Sequence, residues 1–312
     1  MTAFQSIRPS IQVNADNLTL DFEHIKPNRD FPVWHFSMVN DRPRNTAIEN
    51  AIAGLNLKGK TVVEIGTGTG LISLLFARHG AERVVSCEMN ENLACVAQEI
   101  ISQTPFGERI TVINESSTVA IHRGLLPHGA DIIFTETLDC GVVGEGFTAI
   151  ARDIQKIAGP NSLIMPRIIK QTARLIESVS IADLNRAGDA CGFDLSILNK
   201  FSTKNYFPVH AELHEHRFLT EAKAIREYNY LNCPEPEVMP FIATEGGTIH
   251  GLLSWFEADF GGAVASNEPF SKSHWHQAFH PIKGDLQVKR GETIHVRLED
   301  CGVASVSSHP VF

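Results

Sequence analysis

The chain has 312 residues, enough for one large domain or two modest ones around a substantial core. A hydrophobic share of 43% is ordinary for a globular protein, and a formal net charge of −9 argues against a non-specific hold on nucleic acid and suits a cationic partner better. No apolar run approaches the ~20 residues of a membrane span, the N-terminal MTAFQSIRPSIQ lacks the layout of a signal peptide, and six scattered cysteines (Cys87, Cys95, Cys140, Cys191, Cys233, Cys301) read as reduced thiols of a cytoplasmic protein.

Along the chain, the first signal is FPVWHFSMVNDRPRN (Phe31–Asn45), where His35, Met38, Asp41 and Arg44 recur every third residue, a spacing that shares one helical face. Trp34 and Phe36 beside them could line a pocket or simply pack the helix. From Lys58 to Gly159, short apolar runs alternate with amphipathic stretches. TVVEI, RVVSCE, ITVIN and DIIFTE read as buried parallel strands. LISLLFARHG, ENLACVAQEIIS and FTAIARDIQKIA read as helices, the first ended by Gly80. Strands alternating with helices predict a doubly wound α/β sheet.

The glycine loop VVEIGTGTG (Val62–Gly70) joins the first strand to the first of these helices. Its glycines are Gly66, Gly68 and Gly70, with Leu71 where a dinucleotide fingerprint wants its third glycine. That weakens a nicotinamide reading. The shorter spacing, with acidic Glu64 just before it, resembles the S-adenosylmethionine loop of Rossmann-like methyltransferases. Glu88 closes the next strand, where a carboxylate can accept both ribose hydroxyls.

The fourth strand leads into TLDCGVVGEGF, which sets Glu136 and Glu145 on one glycine-rich loop. Two anions converging on a pocket need a cation between them, or one is driven to protonate. A planar, permanently charged guanidinium is the natural occupant. Paired loop glutamates alone are most often merely solvated, a lone histidine packed, and a lone tryptophan core. The ordered trio of glycine loop, glutamate pair and Ser273-His274-Trp275 is far more specific. Cys140 reads as filler. The histidines His210, His214, His216, His276 and His280 sit in segments that make a zinc site unattractive, and methyl transfer needs no metal.

After Pro166 the texture changes. QTARLIES, GLLSWFEADF, LQVKR and TIHVRLED alternate and are parted by turn residues, which predicts an antiparallel, barrel-like β domain. The stretch from Ala182 to Ala222 fits neither half and reads as a protruding helical arm.

From Phe31 to Asp300 the chain resembles the protein arginine methyltransferase family. His35, Met38, Asp41 and Arg44 resemble its N-terminal helix motif, Glu136 and Glu145 its double-glutamate loop, Ser273-His274-Trp275 its Thr-His-Trp loop, and GFDLS (Gly192–Ser196) the start of its dimerisation arm. The loop LDCGVVGEG looks closest to the monomethylating (type III) branch, with Leu138 and Asp139 where dimethylating branches are aromatic and apolar. The resemblance implies an α/β chain: a Rossmann-like S-adenosylmethionine-binding domain (46–165), preceded by a cofactor-covering helix (1–45), followed by an antiparallel β-barrel-like domain (166–312) with a helical dimerisation arm near 182–222. The implied cofactor set is His35, Met38, Arg44, Gly66, Gly68, Gly70, Glu88 and Ser117, with Arg44 on the carboxylate of the methionine part. Glu136, Glu145, His274 and Asp41 would be catalytic, and Trp275 and Asp139 would meet the acceptor. Either Glu145 or His274 with Asp41 could take the departing proton. The acceptor could be protein arginine or free L-arginine, the enzyme is expected to be a homodimer, and an inactive cofactor-binding partner is the reading from outside enzymology.

Overall fold

The computed structural model describes residues 34–233 and 235–309, with the backbone of two N-terminal strands, β1 (Ser10–Asn14) and β2 (Asn17–Asp21), which pair antiparallel. Phe31, Pro32 and Val33 of the N-terminal motif lie outside the described residues, as does most of the chain ahead of them.

The motif expected on one helix is divided between two. Helix α1 runs Trp34–Val39 and α2 runs Arg42–Ala53. Asp41 stands between them as the N-cap of α2, its carboxylate accepting the Arg44 N–H at 2.9 Å. Pro43 lies in the first turn of α2, where its missing N–H costs nothing, whereas one continuous helix could not pass it unbroken.

Five strands follow, β3 (Thr61–Ile65), β4 (Arg83–Cys87), β5 (Ile110–Ile113), β6 (Ile132–Thr135) and β7 (Leu163–Met165), mostly buried except β5, an edge strand that buries only Ile110 and exposes Thr111. They form one parallel sheet in the order β5-β4-β3-β6-β7. The order reverses direction at β3, so the crevice outside the carboxyl ends of β3, β4 and β6 is where such sheets take ligands. Helices α3 (Leu71–Arg78), α4 (Glu91–Ser102), α5 (Ser117–His122) and α6 (Phe147–Ile157) connect the strands. Helix α3 ends as its sequence implies, with Gly80 at φ +108° and the Ala81 N–H reaching back to Phe76. Helix α6 buries Phe147, Ile150, Ala151, Ile154 and Ile157 on one stripe.

Beyond Pro166 the chain is antiparallel. Strand β8 (Ile168–Glu177) pairs with the long strand Gly247–Asp259, which pairs in turn with Gln277–Val288. These belong to a seven-stranded sheet; a three-stranded sheet of Val238–Ile242, Thr293–Leu298 and Ala304–Ser307 faces it across a shared core that includes Leu175, Leu252, Phe241 and Val296. The arm departs from its helical expectation. After Ala182 it holds a two-residue ladder, Asp189–Ala190 on Phe193–Asp194, and a 3-10 helix, Ser196–Phe201, with no α-helix among its described residues. Its turn chemistry explains this: Cys191 and Gly192 take positive φ, and the Asp194 carboxylate captures the Ser196 N–H.

The two halves share a core. Tyr228, Tyr230, Phe256, Phe260 and Trp275 pack in the same cluster as the parallel sheet, and Phe134 stacks on Phe260 with ring centroids 5.8 Å apart. No helix among the described residues is long and apolar enough to cross a membrane.

Candidate active site

Gly66, Gly68 and Gly70 all sit at positive φ, between +54° and +86°, so the turn from β3 into α3 needs the residue type found there. A β-carbon on Gly66 would lie 2.8 Å from the Thr137 methyl. One on Gly68 would lie 3.6 Å from the His35 ring and 3.7 Å from Met38 Cε, which places α1 over the glycine loop. Glu88 is buried just past β4; it accepts the Gly68 N–H through one oxygen and the Asn90 N–H through the other, both at 2.9 Å. Gly70 faces away from the crevice and packs on Ile101 and Ala97 of α4. Ser117 lines the crevice, but its hydroxyl donates to Asp153 at 2.8 Å.

The crevice continues past β6 into a second chamber, giving one cavity of about 890 Å³. Glu136, Leu138, Asp139, Glu145, His274 and Trp275 line that chamber. Glu136 follows β6 directly and forms an ion pair with Arg44, each only 4% exposed. The Arg44 guanidinium also lies over the Trp275 ring, 5.8 Å from its centroid. Glu145 is exposed at the rim of the cavity, yet the protein crowding its carboxyl, with repulsion from Glu136, Asp139 and Glu88, pushes it up to about 7. Glu64 is raised to about 7 chiefly by burial, although Ser73 and Ser86 both donate to it and lower the value. Among the described residues one Lys or Arg, Arg44, lines the cavity against Glu64, Glu88, Glu115, Glu136, Asp139, Glu145 and Asp153. The chamber is therefore built for positively charged guests.

Asp41 stands behind the cavity wall. Its second oxygen accepts His274 Nδ1–H and the His274 backbone N–H, each at 2.8 Å. Burial alone would raise the Asp41 carboxyl, but these bonds and the one from Arg44 bring it down to about 2. An ionised carboxylate only accepts, so Nδ1 carries the proton and Nε2 is the free-electron-pair nitrogen in the neutral ring.

The glutamate loop is held from outside its own domain. Trp275 Nε1 donates to the Leu138 carbonyl at 2.8 Å, and Asn267 Nδ2 to the Cys140 carbonyl at 3.3 Å. The Tyr206 hydroxyl donates to Asp139 at 2.7 Å, while the other Asp139 oxygen accepts the Gly141 and Gly144 N–H groups. Asp139, expected at the acceptor, lines the cavity but spends one oxygen inside the loop and the other on Tyr206. Sequence reasoning missed Tyr206 and Asn267, whose surroundings carry no motif. Cys140 is buried and its thiol is pushed up by burial, consistent with an inert side chain. Among the described residues no group of three or more His, Cys, Asp or Glu is arranged to hold a metal. His280 is fully buried, bonded to the Gly302 carbonyl and to Ser254.

Comparison with known proteins decides the family. A model described as the arginine methyltransferase oligomerization subdomain matches residues 175–302. The Arginine N(omega)-methyltransferase of Streptomyces achromogenes subsp. streptozoticus is 36% identical over 291 residues, covering 91% of this chain and 81% of its own. The chain belongs to the protein arginine methyltransferase family. Protein arginine N-methyltransferase 9 of Mus musculus is 23% identical over 311 residues, and the match spans 86% of this chain but 37% of that longer protein. The Trypanosoma brucei PRMT1 enzyme-prozyme heterotetrameric complex with AdoHcy superposes with a TM-score of 0.72 at 20% identity, over 85% of this chain and 86% of that one. Arabidopsis thaliana protein arginine methyltransferase 10 gives 0.68 at 18%, over 86% and 88%. At those identities the likeness concerns the fold.

Enzymes of this family draw their methyl group from S-adenosylmethionine, and the residues present fit it. Two buried polar atoms on the cavity residues, Arg44 Nε and Glu64 Oε1, have no hydrogen-bond partner. A donor and an acceptor left open in this way suit the carboxylate and the ammonium of an amino acid tail. Glu88 and the open backbone of Gly66 and Gly68 suit a nucleoside.

Proposed function

We propose that this arginine methyltransferase places a single methyl group on an ω-nitrogen of an arginine side chain in protein. The observation that carries the reading is the pairing of Glu136 and Glu145 in a chamber continuous with the glycine loop, with the Arg44 guanidinium already seated against Glu136. A site that takes one guanidinium in this manner has the geometry and charge to take another.

S-adenosylmethionine, when bound, supplies an electrophilic methyl group on a sulfonium. The chain's own residues do the rest by position. Arg44, Glu64 and Glu88 hold the donor; Glu136 and Glu145 grip the acceptor guanidinium and turn one nitrogen toward the donor side. That nitrogen must lose a proton. Glu145, raised to about 7, is matched to accept it near neutral pH. Asp41 and His274 fix the wall opposite and keep His274 Nε2 available as a second acceptor. The methyl-receiving space is bounded by Leu138 and Asp139, both pinned by hydrogen bonds, which supports one methyl over two. The three catalytic side chains Glu136, Glu145 and His274 all line the cavity, which speaks for an active enzyme over an idle binding partner.

Free L-arginine is the second reading; the Streptomyces relative is named for arginine and not for protein arginine. A homodimer through the arm is supported by its exposed apolar side chains Phe193, Ile197, Leu198 and Phe201, and by the description of the matching subdomain. All six cysteines are free, as suits a reducing, cytoplasmic setting. Incubation with methyl-labelled S-adenosylmethionine, offering an arginine-rich peptide beside free arginine, tests the proposal. Label in peptide monomethylarginine is the expected result. Label in free arginine selects the second reading, early dimethylarginine refutes the one-methyl limit, and label in neither overturns the function.

A further inference from the structure

The chain has three tyrosines, Tyr206, Tyr228 and Tyr230, and all of them pack around the loop that carries Glu136 and Glu145. Tyr228 and Tyr230 flank Phe147, the first residue after the loop, with ring centroids 5.1 Å and 4.6 Å away. Tyr206 meets the loop from the other side, in a slot that exists only because three residues have no side chain. A β-carbon on Gly141 would lie 2.5 Å from its ring, one on Gly302 2.3 Å from its ring, and one on Gly144 2.6 Å from its hydroxyl. The hydroxyl donates to Asp139, whose other oxygen holds the Gly141 and Gly144 N–H groups at 3.2 Å and 3.0 Å. Between those glycines Val142 is buried at φ +77°, a conformation that persists only where the surroundings enforce it.

Tyr206 also has a place in the chain that matters. It is the last residue before the strand Phe207–Val209, which pairs with Gln277–Phe279, and it lies within the arm, just after the 3-10 helix Ser196–Phe201. The arm's base is closed just upstream, where the Asn185 side chain bonds both the N–H and the carbonyl of Thr203 at 2.8 Å. A shift of the arm therefore pulls on the residue that clamps the catalytic loop.

We propose that Tyr206 is a positioning residue, which fixes the separation of Glu136 and Glu145 through Asp139 and couples that separation to the seating of the arm. The kinetic part rests on the functional reading above. A clamp on a guanidinium needs both carboxylates in place at once, and a displacement of about 1 Å can cost on the order of 100-fold in rate. The Asp139 charge also acts on Glu145 and raises its carboxyl, so the tyrosine holds a group that tunes the proton acceptor.

The test uses the full-length chain. Tyr206→Phe keeps the ring in its slot and removes one hydroxyl. It is expected to lower kcat by roughly 10-fold while the affinity for S-adenosylhomocysteine stays within about 2-fold, because the donor wall is untouched. Asp139→Asn should lower kcat at least as much and move the acid limb of the pH–rate profile down. Adding Tyr206→Phe to Asp139→Asn should cost nothing further, since the hydroxyl acts through that carboxylate. Hydrogen exchange supplies a readout independent of catalysis: amides of the loop from Gly141 to Gly146 should exchange about 10-fold faster in Tyr206→Phe, with strands β3 and β4 unchanged. Wild-type exchange in the variant overturns the clamp, whatever the enzyme's acceptor is. An active wild type with an unaffected Tyr206→Phe, or with additive losses in the double variant, overturns the coupling alone. An inactive wild type with faster exchange in the variant leaves the clamp standing and removes the proposed function.

Discussion

The Gly66 and Thr67 N–H groups donate to the Cys87 carbonyl, and the Gly68 N–H donates to the Glu88 carboxylate, all within one β–α–β unit of the parallel sheet. The loop from Glu136 to Glu145 is held instead by Arg44 from the N-terminal helix, and by Tyr206, Asn267 and Trp275 from the antiparallel half. The glycine-loop wall of the cavity is thus held mostly by local bonds, with α1 and Arg44 reaching it from upstream, and the other exists only when three distant parts of the chain are in register. The difference teaches what each wall can be asked to do. A locally built wall can bind its ligand with little help from the rest of the fold. A wall built from remote contacts can be precise, which is what an acceptor clamp requires, but it fails through its supports as readily as through its own side chains.

The sharpest way to break that comparison is Glu136→Gln. The change keeps the shape, removes the charge that would grip the acceptor and leaves Arg44 without its anion. We expect kcat to fall by about 10²- to 10³-fold, the scale set by removing one electrostatic contact of the transition state. Affinity for S-adenosylhomocysteine by calorimetry should change by no more than a few fold. Parallel loss of both would show that the two walls are one unit. Glu88→Gln is the mirror experiment. It removes a charged acceptor from the local wall, so the cofactor dissociation constant should rise by roughly 10- to 100-fold, for a loss of ~1.5–3 kcal/mol. At saturating cofactor, kcat should stay within a few fold of wild type.

The same contrast decides what was legible in the sequence. Strand β3, the glycine loop, helix α4 and the acidic residue after β4 are encoded by neighbours, so apolar runs and glycine spacing marked them to within a residue or two. The glutamate pair was visible as a motif, and the cavity does bring Glu136, Glu145 and His274 together. Its supports were not visible. Tyr206 packs against Gly141, Gly144 and Gly302, far from it in the chain on either side, and nothing local to Tyr206 announces that partnership. The family resemblance implies Asp139 as an acceptor contact; it lines the cavity, and one of its oxygens also takes the hydroxyl of Tyr206, which lies in the arm. The N-terminal motif showed the reverse failure. A period of three suggested one helix, and the capping chemistry of Asp41 with Pro43 divided it.

Glu145 offers a graded test. Its carboxyl is raised to about 7 by the protein crowding it and by neighbouring carboxylates, against an ordinary glutamate value of about 4.3. In the free enzyme it must ionise before it can hold a cation, so kcat/KM for the acceptor should climb through pH ~7. Once the guanidinium is bound the ionised form is favoured, and the acid limb of kcat should lie lower than that of kcat/KM. The stability consequence has the opposite direction from a paired carboxylate. A raised folded-state pKa favours the fold while the group is protonated, and that contribution is lost as pH rises from about 4.3 through about 7. Because the side chain is exposed, solvent screens much of this contribution, so Glu145→Gln should melt only slightly higher than wild type at pH 7.5, with the gap closing toward pH 4.5, in thermal scans of the two proteins side by side.

The smallest effect is expected at Ser117, and it bears on how local the donor wall really is. Position suggested a cofactor contact, and Ser117 does line the cavity at the start of α5. Its hydroxyl, however, donates to Asp153 of α6, which also accepts from Thr118 and Lys156. Burial would raise the Asp153 carboxyl, but these three donors hold it below the usual aspartate range, so the anion is well satisfied before any ligand arrives. Removing one of three donors leaves it bonded. Ser117→Ala should cost about 0.5–1.5 kcal/mol of stability, the usual net worth of one such bond, and read out as a small drop in Tm. Cofactor affinity should move by less than about 3-fold. A loss of 10-fold or more would mean that the serine turns to the ligand on binding and that α5 and α6 adjust with it. The donor wall would then be less self-contained than its hydrogen bonds within β3 and β4 imply.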